Sequence, residues 1–166
     1  MKTLYVIRHA KSSWDEPGQA DFERGPNDRG KRDAPRMGKR LKEREIHPDL
    51  IISSPAKRAY STAKRIAEVL KYPKENITTD KQVYHASEDG LLDAVQSIND
   101  DHDSVFLFGH NPGLTDFVNA LADTDPYIDN VPTCGVVAFK LPVDSWKDVQ
   151  WRSAKMLFFD CPKALN

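Results

Sequence analysis

His9, His110, Arg8 and Arg58 are the residues with which this chain could do chemistry, and each lies just past a short apolar run. Arg8-His9-Ala10-Lys11-Ser12 follows Thr3 to Ile7. Ser53-Ser54-Pro55, with Arg58 one helical turn further on, follows Leu50 to Ile52, and Gly109-His110-Asn111 follows Ser104 to Phe108. Ligand sites of open parallel sheets lie beyond the carboxyl ends of the strands. If these runs are such strands, two imidazoles and two guanidinium groups meet at one sheet edge. A multiply charged anion is the natural ligand for that set. The planar fork of arginine binds two phosphate oxygens at once and keeps its charge, so Arg8 and Arg58 are suited to hold a phosphoryl group and neutralise its equatorial oxygens during transfer. One imidazole can attack phosphorus while the other hydrogen-bonds the transferring group. Nearby arginines oppose a further positive charge and so favour neutral imidazole, the nucleophilic form.

The elements that must position these residues are legible in the apolar pattern. Thr3 to Ile7 reads as a buried first strand. After a polar stretch rich in turn formers, Asp15 to Gly30, the residues Ala34, Met37, Gly38 and Leu41 recur at helical spacing, with Pro35 tolerated only in a first turn. Asp49 to Ser53 reads as a second strand. Ser54-Pro55 then resembles an N-cap followed by an N1 proline, so a helix is expected there, with Ala59, Ala63, Ile66 and Leu70 inward and its N-terminal N–H groups aimed at the anion. A weaker strand at Ile77 to Thr79 precedes a helix from Glu88 to Ile98 capped by Ser87. Ser104 to Phe108 is the strongest strand, and a helix from Leu114 to Leu121 follows it. Val136 to Leu141 and Trp151 to Phe159 have no helix between them and read as antiparallel neighbours. The expected fold is a three-layer α/β/α sandwich with a mostly parallel central sheet and an antiparallel pair late in the chain, as a single domain over 1–166.

Composition narrows the function classes. Twenty-four Lys and Arg against 25 Asp and Glu give a net charge of −1, which offers a polyanion or an anionic membrane little attraction. Nucleic acid and membrane are therefore not expected partners. Cys134 and Cys161 have no Cys-x-x-Cys spacing, so neither a disulfide framework nor a zinc knuckle is implied. No apolar run approaches the length of a signal peptide core or a membrane span. A cytoplasmic monomer is the expectation.

Arg8-His9-Ala10, Ser53-Ser54-Pro55-Ala56-Lys57-Arg58-Ala59 with Thr62-Ala63, and Gly109-His110-Asn111-Pro112-Gly113 together resemble the motifs of the histidine phosphatase (phosphoglycerate mutase-like) superfamily. The three motifs span most of the chain. Arg-His-Ala-Lys-Ser, the short length and Gly-His-Asn-Pro-Gly look most like the SixA-like phosphohistidine phosphatase branch. The resemblance implies that His9 is the phosphorylated nucleophile, that Arg8 and Arg58 bind phosphate, and that His110 completes the catalytic set. It also implies chemistry without metal or organic cofactor, in keeping with the lack of a carboxylate-rich cation motif or a Gly-x-x-x-x-Gly-Lys loop.

One departure bears on the substrate. Larger members carry a glutamate or aspartate general acid soon after the third strand, and Gln82 to Glu88 offers only His85 and Glu88 as candidates. An alkoxide leaving group needs a proton in the transition state, whereas protonated phosphohistidine releases neutral imidazole unaided. A missing acid favours P–N over P–O substrates. The reading is a phosphohistidine protein phosphatase acting on a phosphorylated protein or small phosphorylated substrate. Its alternatives are a small-molecule phosphate ester phosphatase on the same site and a non-catalytic phosphate-binding module, although binding alone would need only the arginines. A mutase is disfavoured by the few residues free to close over a retained phospho-intermediate. Lys11 faces either the phosphate or solvent. Asn111 joins it as a substrate-binding candidate and is also read as the turn former that orders the His110 loop. Ser53 and Ser54 read as capping and turn residues. Trp14 forms a wall of the entrance or tucks back on the fold.

Overall fold

The computed structural model describes residues 1–13, 18, 20–124 and 127–163. Trp14 lies outside them. Six strands form one sheet in the order β3-β2-β4-β1-β5-β6. They are β1 (Lys2–Arg8), β2 (Leu50–Ser53), β3 (Thr78–Thr79), β4 (Ser104–Gly109), β5 (Val136–Leu141) and β6 (Lys155–Asp160). The first four run parallel, β5 is antiparallel to β1, and β6 is antiparallel to β5.

Strand alternation divides the core into two layers. Leu4 and Val6 of β1, Val105 and Leu107 of β4, and Val137 and Phe139 of β5 face α3 (Glu88–Gln96) and α4 (Gly113–Leu121), which contribute Leu91, Val95, Phe117 and Leu121. Tyr5, Ile7, Phe106, Phe108 and Ala138 face α1 (Asp28–Glu43) and α2 (Lys57–Val69), through Met37, Leu41, Ala63 and Ile66. The helices thus cover both sheet faces, as a mostly parallel sheet requires. The α/β sandwich expected from the sequence is the observed fold.

Two helix starts differ from expectation, each for a local reason. Asn27 caps α1, its side chain accepting the Gly30 N–H at 2.9 Å, so the helix begins well ahead of Pro35 and the proline sits in its interior. The carbonyl that Pro35 leaves without a helical donor belongs to exposed Lys31, where water can serve it. The second helix starts at Lys57, with Ala56 rather than Ser54 as its N-cap residue; the Ser54 hydroxyl accepts the Ala56 N–H at 3.2 Å just ahead of the helix and also contacts His110. At the end of the chain β6 starts at Lys155, not Trp151. The Trp151 ring packs edge-on against Phe117, centroids 5.8 Å apart.

The close approach of α4 to the loop before α3 depends on Gly113, where an added Cβ would collide with the Ala86 carbonyl oxygen. Gly113→Ala is expected to cost about 1–3 kcal/mol through overpacking. Thermal unfolding would register this as a drop of roughly 2–4 °C per kcal/mol, with the 84–87 loop displaced.

Candidate active site

Register brings the two histidines together. Arg8 pairs with Gly109 across the β1–β4 ladder, and the His9 N–H donates to the Gly109 carbonyl at 3.2 Å. His9 and His110 therefore leave adjacent strand ends side by side, ring centroids 5.2 Å apart. Ser53 pairs with Phe108 on the other side of β4, so residue 54 arrives next to the same edge. A pocket of about 350 Å³ opens there, lined by Arg8, His9, Lys11, Arg58, His110 and Asn111 together with Ser12, Asp21, Arg24, His85 and Thr133.

Each imidazole is tied through one nitrogen. The His9 Nδ1–H donates to the Ala10 carbonyl at 2.7 Å, which leaves Nε2 as the bare nitrogen. His110 Nε2 lies 2.7 Å from Ser54 Oγ. That hydroxyl accepts the Ala56 N–H at 3.2 Å, and among the described residues Nε2 is the one acceptor within reach of its own proton, so we assign that proton to Nε2 and the remaining His110 proton to Nδ1. His110 Nδ1 is buried and has no partner among the described residues. An N–H there is a donor awaiting an acceptor.

Both rings are held neutral. Burial pushes His9 down to about 4; the Ala10 carbonyl pulls it back up in part, while Arg58, Arg8 and Arg24 push it further down. Burial likewise pushes His110 down to about 3, helped by His9, Arg58 and His85. The acid limb of kcat/KM should accordingly have its midpoint near pH 4 rather than near 6.5, as a pH–rate profile would show. Stability shifts in the same range. Above pH 6.5 these histidines are neutral in both folded and unfolded chains. As pH falls from 6.5 towards 4 only the unfolded chain takes up their protons, so stability drops through that window.

The arginines are positioned by fixed partners. Arg8 Nη1 donates to the Val131 carbonyl at 3.0 Å, and its Nε is buried with no partner among the described residues. Arg58, 5% exposed, donates from Nη1 to the Asp21 carbonyl at 2.8 Å and from Nη2 to Asp21 Oδ2 at 3.0 Å. Its Nε is also buried and has no partner among the described residues. Thr62 joins the two segments, accepting the Ala10 N–H at 2.9 Å and donating to the Arg58 carbonyl at 2.7 Å.

Asp21, Tyr84 and Arg24 are among the lining and bracing residues that escape the sequence reading. Asp21 Oδ2 accepts the Tyr84 hydroxyl at 2.8 Å as well as Arg58, and Asp21 Oδ1 accepts Arg24 Nη2 at 3.0 Å. Partial burial raises the Asp21 carboxyl, but Tyr84, Arg24 and Arg58 outweigh it and hold the group well below the usual carboxylate range. The run Asp21 to Arg24 lies in an aperiodic polar segment; only the close spacing of acid and base hinted at an ion pair.

The remaining candidates divide. Exposed Lys11 lines the pocket. Asn111 lines it too, but its amide is engaged: Nδ2 donates to Asn130 Oδ1 and the Val131 carbonyl, and Oδ1 accepts the Thr115 N–H and hydroxyl. His85 reaches the pocket in a left-handed conformation, φ 59°, its ring 3.9 Å from that of Tyr84. Glu88 stands in the first turn of α3 and is not among the lining residues. No residue from 54 to 57 lines the pocket either, so the expected helix N-terminus does not face the anion site; the Ala56 N–H is spent on Ser54. Among the described residues no group of three or more His, Cys, Asp or Glu is placed to hold a metal, and no helix is long and apolar enough to cross a membrane.

Comparison with known proteins adds to this geometry. The family model of the histidine phosphatase superfamily (branch 1) matches residues 4–83. A SixA protein of Agrobacterium tumefaciens, assigned as a phosphohistidine phosphatase, superposes with a TM-score of 0.83 at 27% identity over 97% of this chain and 98% of its own. In sequence and in fold the chain is similar to the histidine phosphatase superfamily. It also shares its fold with a SixA protein histidine phosphatase bound to tungstate, at a TM-score of 0.81 and 17% identity, covering 96% of this chain and 97% of that one. Over 96 residues it is 38% identical to Phosphoserine phosphatase 1 of Hydrogenobacter thermophilus, a match of 55% of this chain and 44% of that protein.

Proposed function

We propose that this phosphatase hydrolyses the P–N bond of phosphohistidine in proteins, with His9 as nucleophile. His9 Nε2 attacks phosphorus in line as the bond from phosphorus to the substrate imidazole breaks. The substrate ring, protonated on its other nitrogen, departs as neutral imidazole. Arg8, Arg58 and the His110 Nδ1–H stabilise the equatorial oxygens, and water then cleaves the phosphohistidine to return free His9 and phosphate. The proposal includes a single metal-independent domain over 1–166, acting as a cytoplasmic monomer.

The observation that carries this reading is the state of the carboxylate in the pocket. Asp21 lines the site but is held ionised by Tyr84, Arg24 and Arg58, so it has no proton to give a departing alkoxide. A P–N substrate needs none. His85 supports a second reading, a small phosphate ester phosphatase, because it lines the pocket and is able to serve as the acid. The similarity to a phosphoserine phosphatase points the same way.

Phosphate release from a phosphohistidine protein, set beside a panel of phosphate esters, separates the two. Faster turnover of the P–N substrate, unchanged in His85→Ala, is expected. Fast ester hydrolysis lost in His85→Ala would establish the second reading instead, and no release from any substrate would leave a phosphate-binding module.

A further inference from the structure

Beside the catalytic pocket lies a second cavity of about 270 Å³, and the two share Arg8, Lys11 and Thr133 as a common wall. Arg29 of α1 and Lys163, beyond β6, complete a lining that has four cationic side chains and, among the described residues, no carboxylate. Its walls are held in place. Arg40 donates to the Cys161 carbonyl at 2.7 Å, the Pro162 carbonyl at 3.3 Å and Asp160 Oδ1 at 3.1 Å, which pins the segment carrying Lys163. Buried Asp33 steers Arg29 from behind, through Nε at 3.4 Å. On the opposite wall Asn130 is fixed by Asn111. The phosphoryl position at His9 and this cavity are thus neighbours across Arg8.

We propose that the cavity is a subsite for a second anionic group of the substrate, carried next to the phosphoryl group. This rests on the phosphohistidine reading, under which the group is an acidic side chain flanking the phosphorylated residue. A small substrate would present a second phosphate instead. Four cationic side chains face one concavity, and among the described residues only Arg29 has a carboxylate partner, Asp33, so an anion bound there would offset the repulsion among them. Arg29 and Lys163 lie outside the catalytic set, so they report on the subsite alone.

The test compares wild type with the double variant Arg29→Gln/Lys163→Gln on two phosphohistidine peptides, one flanked by Asp residues and one by Ala. Wild type is expected to show a KM roughly fivefold lower for the acidic peptide, in line with two partly exposed ion pairs. The double variant should lose that preference while its kcat on the Ala-flanked peptide stays unchanged. Equal KM values in wild type, or a preference that survives in the variant, would overturn the subsite without touching the phosphohistidine reading. Titration with a hexose 6-phosphate and a hexose 1,6-bisphosphate covers the small-substrate source and needs no turnover. Tighter binding of the bisphosphate by wild type alone supports the subsite even where neither peptide is cleaved. Equal binding of the two sugars, with no peptide preference, rejects it.

Discussion

Replacing His9 by alanine should lower kcat at least about a thousandfold while leaving the fold and the binding of inorganic phosphate in place. The loss is large because no other group in the pocket matches His9 in being unprotonated, held by a fixed Nδ1 bond and flanked by two arginines. His110 is the nearest alternative, and its Nε2 is occupied by Ser54. The fold should survive, since among the described residues the side chain makes one hydrogen bond, to the adjacent Ala10 carbonyl. Circular dichroism and steady-state kinetics on the same preparation would check both halves. The variant also removes a group that resists protonation when folded, so its loss of stability between pH 6.5 and 4 should be shallower than in wild type. Turnover at the wild-type rate in this variant would rule out His9 as nucleophile.

Arg58→Ala should reduce kcat/KM by about 10²- to 10³-fold, the usual cost of removing a charged group that stabilises a developing transition state. It combines two losses. The phosphoryl group loses a guanidinium neighbour, and Asp21 loses two of the contacts that keep it in the pocket wall. Asp21 would still be held by Arg24 and Tyr84, so stability is expected to fall by only about 1–3 kcal/mol. Arg58→Lys should rescue little activity. A single ammonium reaches neither both Asp21 oxygens nor two phosphate oxygens with the geometry of the guanidinium fork. Denaturant melts alongside kcat and KM would separate the two losses. Near-wild-type catalysis in Arg58→Lys would show that charge alone suffices.

The parts of this site that the sequence made legible share a physical reason. Short apolar runs fix where buried strands end, and the residue after a strand end in a parallel sheet has few places to go. His9, His110, Arg8 and Arg58 were found by that rule, and the Arg8–Gly109 register shows it at work. What escaped was held by contacts between segments without periodicity. Asp21 meets Tyr84 across 63 residues of chain and Arg58 across 37, and neither acid nor phenol lies on a patterned element. The local signature of Ser54, a serine before proline, points to a cap, and its hydroxyl does accept the Ala56 N–H; its second contact, with His110, is a long-range one that only the structure shows. Pro35 misplaced the start of α1 because a solvent-facing helix tolerates the missing N–H. The candidates for a general acid split by a single turn of backbone: left-handed His85 points to the pocket and Glu88 does not line it.

Turnover by the proposed route passes through a covalent intermediate at His9. Wild-type enzyme mixed with phosphohistidine substrate, quenched in base within milliseconds and digested for mass spectrometry, should carry phosphate on the His9 peptide, at Nε2. The label should be absent from His9→Ala. Phosphate found on another side chain, or product formed at full rate with no phosphorylated enzyme at any quench time, would contradict it.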